Sequence, residues 1–294
     1  MKRALRSMLY IPGNNPGMIQ HAPIFGADSV LLDLEDAVAL SEKDAARRLV
    51  TRLMGALDFG DVVVTVRLNG ADTSFFEEDL KAVVPCRPDA VRLPKCSSPE
   101  DVVEADARMT EIERACGFES RSVKLHAMLE TASGIALARE IASCCPRVTA
   151  LTLGGQDLTA DLGVAKTREG WELFVPRSQV ALAARSCGID AFDTVWADVN
   201  DHEGLLEETK KVVGLGFTGK AAIHPGQIPW IHKAFVPEEK EIAKALRIVE
   251  AAEAAEKEGR GVVAVDGKMV DAPVVKRARH TLDMARLAEG GVSR

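Results

Sequence analysis

The sequence lacks three features, and each absence excludes a class of protein. It has no excess of positive charge, since its 294 residues carry a formal net charge of −7, so a surface that coats nucleic-acid phosphates is not expected. Its six cysteines contain no CxxC pair, which argues against a zinc knuckle and for reduced thiols in a cytoplasmic protein. No apolar run has the length of a signal peptide or a membrane span. We therefore expect a cytoplasmic protein that binds neither nucleic acid nor membrane.

What the sequence does contain is a series of short apolar runs separated by helical stretches. Such runs are typical of parallel strands covered on both faces, and their alternation with helices indicates βαβ units. The eight predicted strands are Met8–Ile11, Ser29–Asp36, Val62–Leu68, Ala90–Lys95, Val123–Leu129, Val148–Leu153, Ala191–Asp198 and Ala221–Ile223. Eight units predict a (β/α)8 TIM barrel over residues 1–235. An open doubly wound sheet is less favoured, because no Gly-rich phosphate loop follows the first run.

Residues 236–294 are predicted to form an appendage that a barrel does not require. A charged helix over about 237–258 is followed by a hairpin with an Asp266-Gly267 turn and by a last helix, Pro273–Ala288. We interpret this region as a lid that contacts a neighbouring subunit.

Polar or charged residues end nearly every predicted strand. In a TIM barrel, the carboxyl ends of the strands meet at one face, where active sites are built. The residues expected at this rim are Asn14, Asp36, Arg67, Lys95, Glu130, Asp157, Asp198 and His224. His224 has no second histidine at ligand spacing, so we assign it, with Asn14, to cofactor binding rather than to a metal.

Two of these residues, Glu130 and Asp157, end successive predicted strands. Carboxylates are hard oxygen ligands of the kind that Mg²⁺ or Mn²⁺ prefers, and such sites leave positions open for water and substrate oxygens. The alternative is that each carboxylate caps the helix that follows it. For a pair at neighbouring strand ends we favour a shared metal ion.

Arg67 is expected at the same rim, where a guanidinium can bind a small carboxylate through two parallel hydrogen bonds. The alternative is a structural ion pair with Asp33, Glu35 or Asp36, and both interpretations can hold together. We expect Glu35 and Asp36 to orient the metal and Arg67 from behind. A metal and an arginine together favour chemistry at a bond next to a carbonyl, because they would stabilise an enolate.

Several motifs, in order along the whole chain, resemble the citrate lyase β-subunit family. This family lies within the HpcH/HpaI aldolase group, with the malyl-CoA and citramalyl-CoA lyases. The motifs are Arg6–Pro16, Leu34–Val38, Val66–Asn69, Arg92–Lys95, Phe192–Val195 and Gly267–Pro273. The resemblance implies a TIM barrel that assembles as a homotrimer or hexamer.

The resemblance also implies an activity, the cleavage of citryl-CoA or a citryl-acyl-carrier thioester to oxaloacetate and an acetyl thioester. Mg²⁺ would lie on Glu130 and Asp157, and these two residues would bind the 2-oxo acid together with Arg67. Asp271 matches a catalytic acid/base that the adjacent subunit delivers, although helix capping is its plain interpretation. An acyl carrier protein and a transferase subunit are the implied protein partners.

Two other functions remain open at this point. One is a malyl-CoA or citramalyl-CoA lyase that releases glyoxylate or pyruvate. The other is a non-catalytic subunit that binds a carrier protein. The chain has Gly154-Gly155-Gln156-Asp157 where many β-subunits carry Gly-Ala-Glu-Asp. The chain keeps Asp157, the presumed metal ligand, but has an uncharged residue at Gln156. The identity of the substrate is therefore not decided by the resemblance.

Overall fold

The computed structural model describes residues 5–257, 259 and 261–290. In this part of the chain, eight parallel strands close into a barrel in the order β1 to β8. The strands are β1 Ser7–Pro12, β2 Ser29–Asp33, β3 Val63–Arg67, β4 Ala90–Leu93, β5 Lys124–Leu129, β6 Val148–Leu153, β7 Asp190–Asp193 and β8 Gly219–Ala222. The predicted (β/α)8 TIM barrel is therefore confirmed, and the open sheet is excluded.

Helices alternate with these strands and cover the outside of the barrel. The described residues form twelve α-helices: α1 Pro16–His21, α2 Lys43–Ala56, α3 Phe76–Val83, α4 Pro99–Ala115, α5 Ala132–Ala136, α6 Ala138–Ser143, α7 Gly155–Asp161, α8 Trp171–Cys187, α9 His202–Leu215, α10 Ile228–Phe235, α11 Glu239–Lys257 and α12 Ala272–Gly290. Local sequence explains several starts; Ser98 and Asp101 form a reciprocal capping box at α4, with Pro99 in its first turn. Across the described residues, no helix combines the length and hydropathy of a bilayer span.

The barrel interior changes from apolar to charged toward the carboxyl ends of the strands. A buried hydrophobic cluster lies further from the carboxyl ends and contains Met8, Leu31, Ala150 and Phe192. Side chains two residues apart on a strand share a face, so Asp33 follows Leu31 toward the rim on the inner side. Asp33 pairs in register with Arg67, which pairs in turn with Arg92. Charged side chains thus occupy a layer that aliphatic residues commonly fill in such barrels.

Some strands end earlier than the apolar runs suggested. The predicted strands reached Asp36, Lys95 and Asp198, whereas β2, β4 and β7 end at 33, 93 and 193. At β2 the cause is local, because the Asp33 carboxylate accepts hydrogen bonds from the backbone N–H groups of Glu35 and Ala37. These bonds turn the chain out of the sheet and into the rim loop.

The chain divides by its internal contacts into residues 1–231 and 232–294, whereas the predicted boundary followed residue 235. The second unit contains α11, a hairpin of β9 Val263–Val265 and β10 Lys268–Val270, and α12. The hairpin turns through Asp266 and Gly267, both with positive φ, as a type I′ turn requires. The predicted hairpin and helix are confirmed, and residue 258, the predicted end of the charged helix, lies outside the described residues. The predicted contact with a neighbouring subunit stays a prediction.

Candidate active site

Arg67 lies at the centre of an ionic cluster at the carboxyl ends of the strands. Its Nε and Nη2 donate to the two carboxylate oxygens of Asp33 at 2.7 and 2.6 Å. Its Nη1 lies 2.7 Å from a carboxylate oxygen of Glu35 but 3.8 Å from Asp36, whose side chain is 57% exposed. The expected ion pair is therefore present, and Asp33 makes the bidentate contact.

The surroundings of Arg67 hold it charged and in one orientation. Burial alone opposes its charge, but the Asp33 and Glu35 carboxylates outweigh that effect and raise the pKa of the guanidinium. The ring of Tyr10 packs against it, with 5.5 Å between the guanidinium carbon and the ring centroid. Asp33 engages two of the five N–H donors of Arg67, and Glu35 contacts Nη1, which carries two more. The guanidinium thus keeps donors with which it can bind an anionic substrate.

Glu35 connects Arg67 to Lys95. Its carboxylate is 6% exposed, with the second oxygen 3.2 Å from Lys95 Nζ. Burial, which outweighs the attraction of Arg67, raises the pKa of Glu35. The backbone here is also fixed, because Lys43 Nζ donates to the carbonyl oxygens of Leu34 and Glu35 at 2.8 and 2.7 Å.

Glu130 follows β5 and is 1% exposed. One carboxylate oxygen accepts a hydrogen bond from the backbone N–H of Lys95 at 2.6 Å, a direction that the left-handed conformation of Lys95 (φ 55°) helps to set. The other oxygen is buried, with no hydrogen-bond partner among the described residues. A methyl group at Gly154 would overlap that oxygen, so only glycine leaves it room. Thr131, not Glu130, caps α5, and the capping alternative is wrong for Glu130.

Asp157 lies close enough to Glu130 for the two charges to interact. Burial first, and then repulsion from Glu35 and Asp157, raise the pKa of Glu130 to about 8. Asp157 stands in the first turn of α7, whose N-cap is Gly154 and which has no side-chain cap. The capping alternative is therefore wrong for Asp157 as well. Two neighbouring carboxylates, one of them costly to ionise, form a site that a cation would stabilise.

These carboxylates fit a hard divalent cation. The described residues contain no group of three or more His, Cys, Asp or Glu side chains arranged to hold a metal, so an ion here would take two carboxylates and complete its coordination with water and substrate oxygens. That donor set is typical of Mg²⁺ sites and unlike the closed four-ligand sites of structural zinc. The unpartnered oxygen of Glu130 is the observation that most favours a bound cation.

Arg92, which sequence reasoning did not single out, lies fully buried on β4. Its Nη1 donates to the Tyr10 hydroxyl at 2.7 Å, and its Nη2 is 3.5 Å from Nδ1 of His126. Its Nε has no hydrogen-bond partner in the described part of the chain, and burial lowers the pKa of the guanidinium. An arginine inside an otherwise apolar run was the signal that could have identified it.

Three further residues of the predicted site, Asn14, His224 and Asp271, are less buried and make mainly local contacts. His224 is exposed, and its Nδ1 accepts a hydrogen bond from the N–H of Gly226 at 3.0 Å. Asn14 is exposed in the loop between β1 and α1. In the second unit, the Asp271 carboxylate accepts a hydrogen bond from the N–H of Val274 at 3.2 Å at the start of α12. Helix capping by Asp271 is thus observed, and its catalytic role stays a prediction.

A closed barrel whose strand ends hold a buried arginine beside two neighbouring carboxylates defines a TIM-barrel enzyme for a small anionic substrate. A sequence profile of the HpcH/HpaI aldolase/citrate lyase family matches residues 6–225. The chain belongs to this family.

Similar proteins span almost the whole chain. Citrate lyase subunit beta of Haemophilus influenzae is 43% identical over 281 residues, which cover 96% of this chain and 97% of that protein. The (3S)-malyl-CoA thioesterase of Cereibacter sphaeroides is 37% identical, covering 95% of this chain and 94% of the relative. The L-malyl-CoA/beta-methylmalyl-CoA lyase of the same species is 32% identical, with coverages of 97% and 96%.

Solved structures with the same fold come from Mycobacterium tuberculosis. Protein CitE in complex with magnesium, acetoacetate and coenzyme A superimposes with a TM-score of 0.82 at 33% identity, covering 96% of this chain and 98% of that chain. A citrate lyase beta subunit complexed with oxaloacetate and magnesium gives a TM-score of 0.69 at 33% identity, covering 80% and 98%.

Proposed function

We propose that the protein is a Mg²⁺-dependent carbon–carbon lyase that cleaves a citryl thioester to oxaloacetate and an acetyl thioester. The observation that carries the proposal is the buried, unpartnered carboxylate oxygen of Glu130 at the rim that also holds Arg67. The 43% identity to a citrate lyase subunit beta supports it. So do the magnesium and oxaloacetate in a related structure.

In this proposal, two of the rim residues bind the metal ion and a third binds the substrate. Glu130 and Asp157 would hold Mg²⁺, or Mn²⁺ in its place. When bound, the ion supplies positive charge that stabilises negative charge developing on the carbonyl oxygen of the 2-oxo acid. Arg67 binds a carboxylate of that acid, and its contacts with Asp33 and Glu35 keep it oriented while it does so.

The acid/base and the thioester are proposed to come from outside the barrel of one copy. In this proposal Asp271 of a neighbouring copy in a homotrimer or hexamer takes the proton of the substrate's hydroxyl group as the C–C bond breaks, and returns it to the carbon of the thioester enolate. The thioester is carried by CoA or by an acyl carrier protein, and a transferase subunit is a further partner. Asn14 and His224, both exposed near the strand ends, line the carrier group. The enzyme acts in the cytoplasm.

A malyl-CoA or citramalyl-CoA lyase is the second candidate. Relatives named for malyl-CoA chemistry support it, at 37% and 32% identity. Gln156, which stands where many β-subunits carry an acidic residue, leaves the choice of substrate open. Gln156 is exposed beside Asp157 at the start of α7, where it changes the charge next to the metal site. A non-catalytic carrier-binding subunit is less favoured, because Glu130, Asp157, Arg67 and Asp271 are all present.

The test is a comparison of substrates. Purified protein is incubated with Mg²⁺ and citryl-CoA, citramalyl-CoA, malyl-CoA or a citryl-acyl-carrier thioester, and the 2-oxo acid is identified by mass spectrometry. Oxaloacetate is the expected product; pyruvate or glyoxylate would favour the second candidate. Glu130→Ala should abolish turnover without unfolding the chain. Folded protein that cleaves none of these thioesters would contradict a lyase.

A further inference from the structure

The helix that carries Asp157 is held at its start by a residue that follows another strand of the barrel. α7 has no side-chain cap of its own, because Gly154 is its N-cap. The first N–H group of the helix, that of Gly155, donates instead to Thr194 Oγ1 at 3.0 Å. Thr194 directly follows β7 and is 4% exposed. Its hydroxyl accepts a hydrogen bond from an N–H group that has no partner within the helix, as an N-cap side chain does in other helices.

The contact between Thr194 and α7 is tight as well as hydrogen-bonded. A methyl group at Gly155 would come within 2.9 Å of Thr194 Cγ2, so the glycine allows the two segments to approach. Asp157 is only two residues further along the same short helix. A displacement of the helix start therefore moves the Asp157 carboxylate relative to Glu130, which directly follows β5.

Thr194 is itself anchored by a cluster that we call the β7–β8 ion network, made of Arg177, Asp193, Glu208 and Lys220. Lys220 Nζ donates to the Thr194 carbonyl oxygen at 2.9 Å, and to Asp193 and Glu208 at 2.7 and 2.8 Å. Arg177 lies 2.8 Å from Asp193 and 2.9 Å from Glu208. All four side chains are at most 6% exposed.

Stability alone is a weak reason for this network. Desolvation of buried ion pairs costs about as much as their attraction returns, so apolar replacements are often neutral or stabilising. Although burial opposes ionisation, Lys220 and Arg177 hold the pKa of Asp193 at about 2. The Asp193 carboxylate therefore stays charged across the physiological range. Its geometric effect is to fix the end of β7, and with it Thr194.

We propose that Thr194 is a positioning residue of the metal site, whose hydroxyl fixes the start of α7 and thereby places Asp157 where it shares one cation with Glu130. The inference rests on the proposed function, since it takes these two carboxylates as the metal ligands. The β7–β8 ion network then supports that hydroxyl, because it fixes the backbone of Thr194.

Thr194→Val tests the inference, because valine keeps the shape and loses the acceptor. Thr194→Ser restores the acceptor. Thr218→Val is the matched control. Thr218 Oγ1 accepts a hydrogen bond from the N–H of Ala191 at 3.0 Å, near the amino ends of β7 and β8 and so away from the strand ends that carry Thr194. Mg²⁺ and Mn²⁺ affinities of the full-length protein are measured by calorimetry, alongside the Tm of each variant without metal.

We expect Thr194→Val to weaken Mg²⁺ binding on the order of tenfold, a typical effect for a residue that orients a metal ligand. Thr194→Ser should recover affinity to within about twofold. Thr218→Val should lower the Tm and leave the affinity unchanged. If valine at 194 misfolds, Thr194→Ala gives the same comparison.

Two results would overturn the inference while leaving the proposed function intact. One is wild-type affinity in a folded Thr194→Val or Thr194→Ala protein. The other is an equal loss of affinity in Thr218→Val, which would mean that general destabilisation is the cause. Failure of the wild-type protein to bind Mg²⁺ or Mn²⁺ would instead reject the metal assignment itself, and the inference with it.

Discussion

Glu130→Gln keeps the shape of a buried side chain and removes its charge, so it should separate stability from metal binding. In the metal-free protein, burial and two nearby acids raise the pKa of Glu130 from 4.5 to about 8. The folded protein holds this proton more tightly than the unfolded chain does. Ionisation therefore costs stability as the pH rises from 4.5 through about 8. Glutamine cannot ionise and escapes this cost.

The size of the effect follows from the pKa difference. Each pKa unit corresponds to about 1.4 kcal/mol. Between pH 5 and pH 8, the wild-type free energy of unfolding should fall by about 3 to 4 kcal/mol relative to that of Glu130→Gln. Hydrogen-bond differences between the two side chains do not depend on pH, so they cancel in this comparison.

The measurement is urea denaturation in EDTA at several pH values, repeated with Mg²⁺. Magnesium should stabilise the wild-type protein at pH 8, where it removes the cost of the ionised carboxylate, and should have no such effect on Glu130→Gln. Glu140→Gln is the matched control, because Glu140 is exposed on α6. A stability difference between wild type and Glu130→Gln that stays flat from pH 5 to pH 8 would refute the electrostatic reasoning. Equal stabilisation of both proteins by Mg²⁺ would refute the metal assignment.

Three further changes test other parts of the structure. Gly154→Ala places a methyl group against the Glu130 carboxylate and should weaken Mg²⁺ binding at least on the order of tenfold, measured by calorimetry; unchanged affinity would show that the carboxylate can move aside. Asp33→Asn leaves Arg67 buried without its bidentate partner and should cost about 3 kcal/mol in urea denaturation, with a raised KM; a loss under about 0.5 kcal/mol would mean that Glu35 suffices. Although burial opposes it, hydrogen bonds from a buried arginine and the backbone hold the pKa of Glu113 at about 2, so its stabilisation is complete above about pH 4.5 and is lost as the pH falls toward 2. Glu113→Gln should therefore be less stable than wild type at pH 7 and converge with it near pH 2, and parallel curves would contradict this.

Much of the fold followed from local pattern. Continuous apolar runs alternating with helical stretches are sufficient for parallel strands covered on both sides. Eight such runs favoured a closed barrel, and the missing Gly-rich phosphate loop argued against an open sheet, but closure itself is seen only in the structure. The same topology brings all carboxyl ends to one rim. Linear order alone therefore predicted that residues such as Arg67 and Glu130 would lie at one end of the barrel.

Other features depended on where each strand stops. Three acids lie between residues 33 and 36, and the pattern could not tell which one pairs with Arg67. The structure gives the bidentate contact to Asp33, because β2 ends there and the register places it beside Arg67, and Glu35 contacts the remaining nitrogen of the guanidinium. Asp36 falls in the loop and points to solvent, 3.8 Å from the guanidinium. Lys95 pairs with Glu35 through its side chain, but it also donates its backbone N–H to Glu130, a role that side-chain chemistry does not reveal.

The sequence by itself determined the barrel, its appendage and the types of residue at the rim, because these depend on periodicity and on the identity of nearby residues. Only the tertiary structure decided which oxygen is satisfied, which is left unpartnered, and why Gly154 and Gly155 must be small. Hydrogen-bond partners, desolvation and close approach are set by groups distant along the chain, such as Lys95 for Glu130 and Thr194 for α7. They exist only once the strands have closed and the register is set.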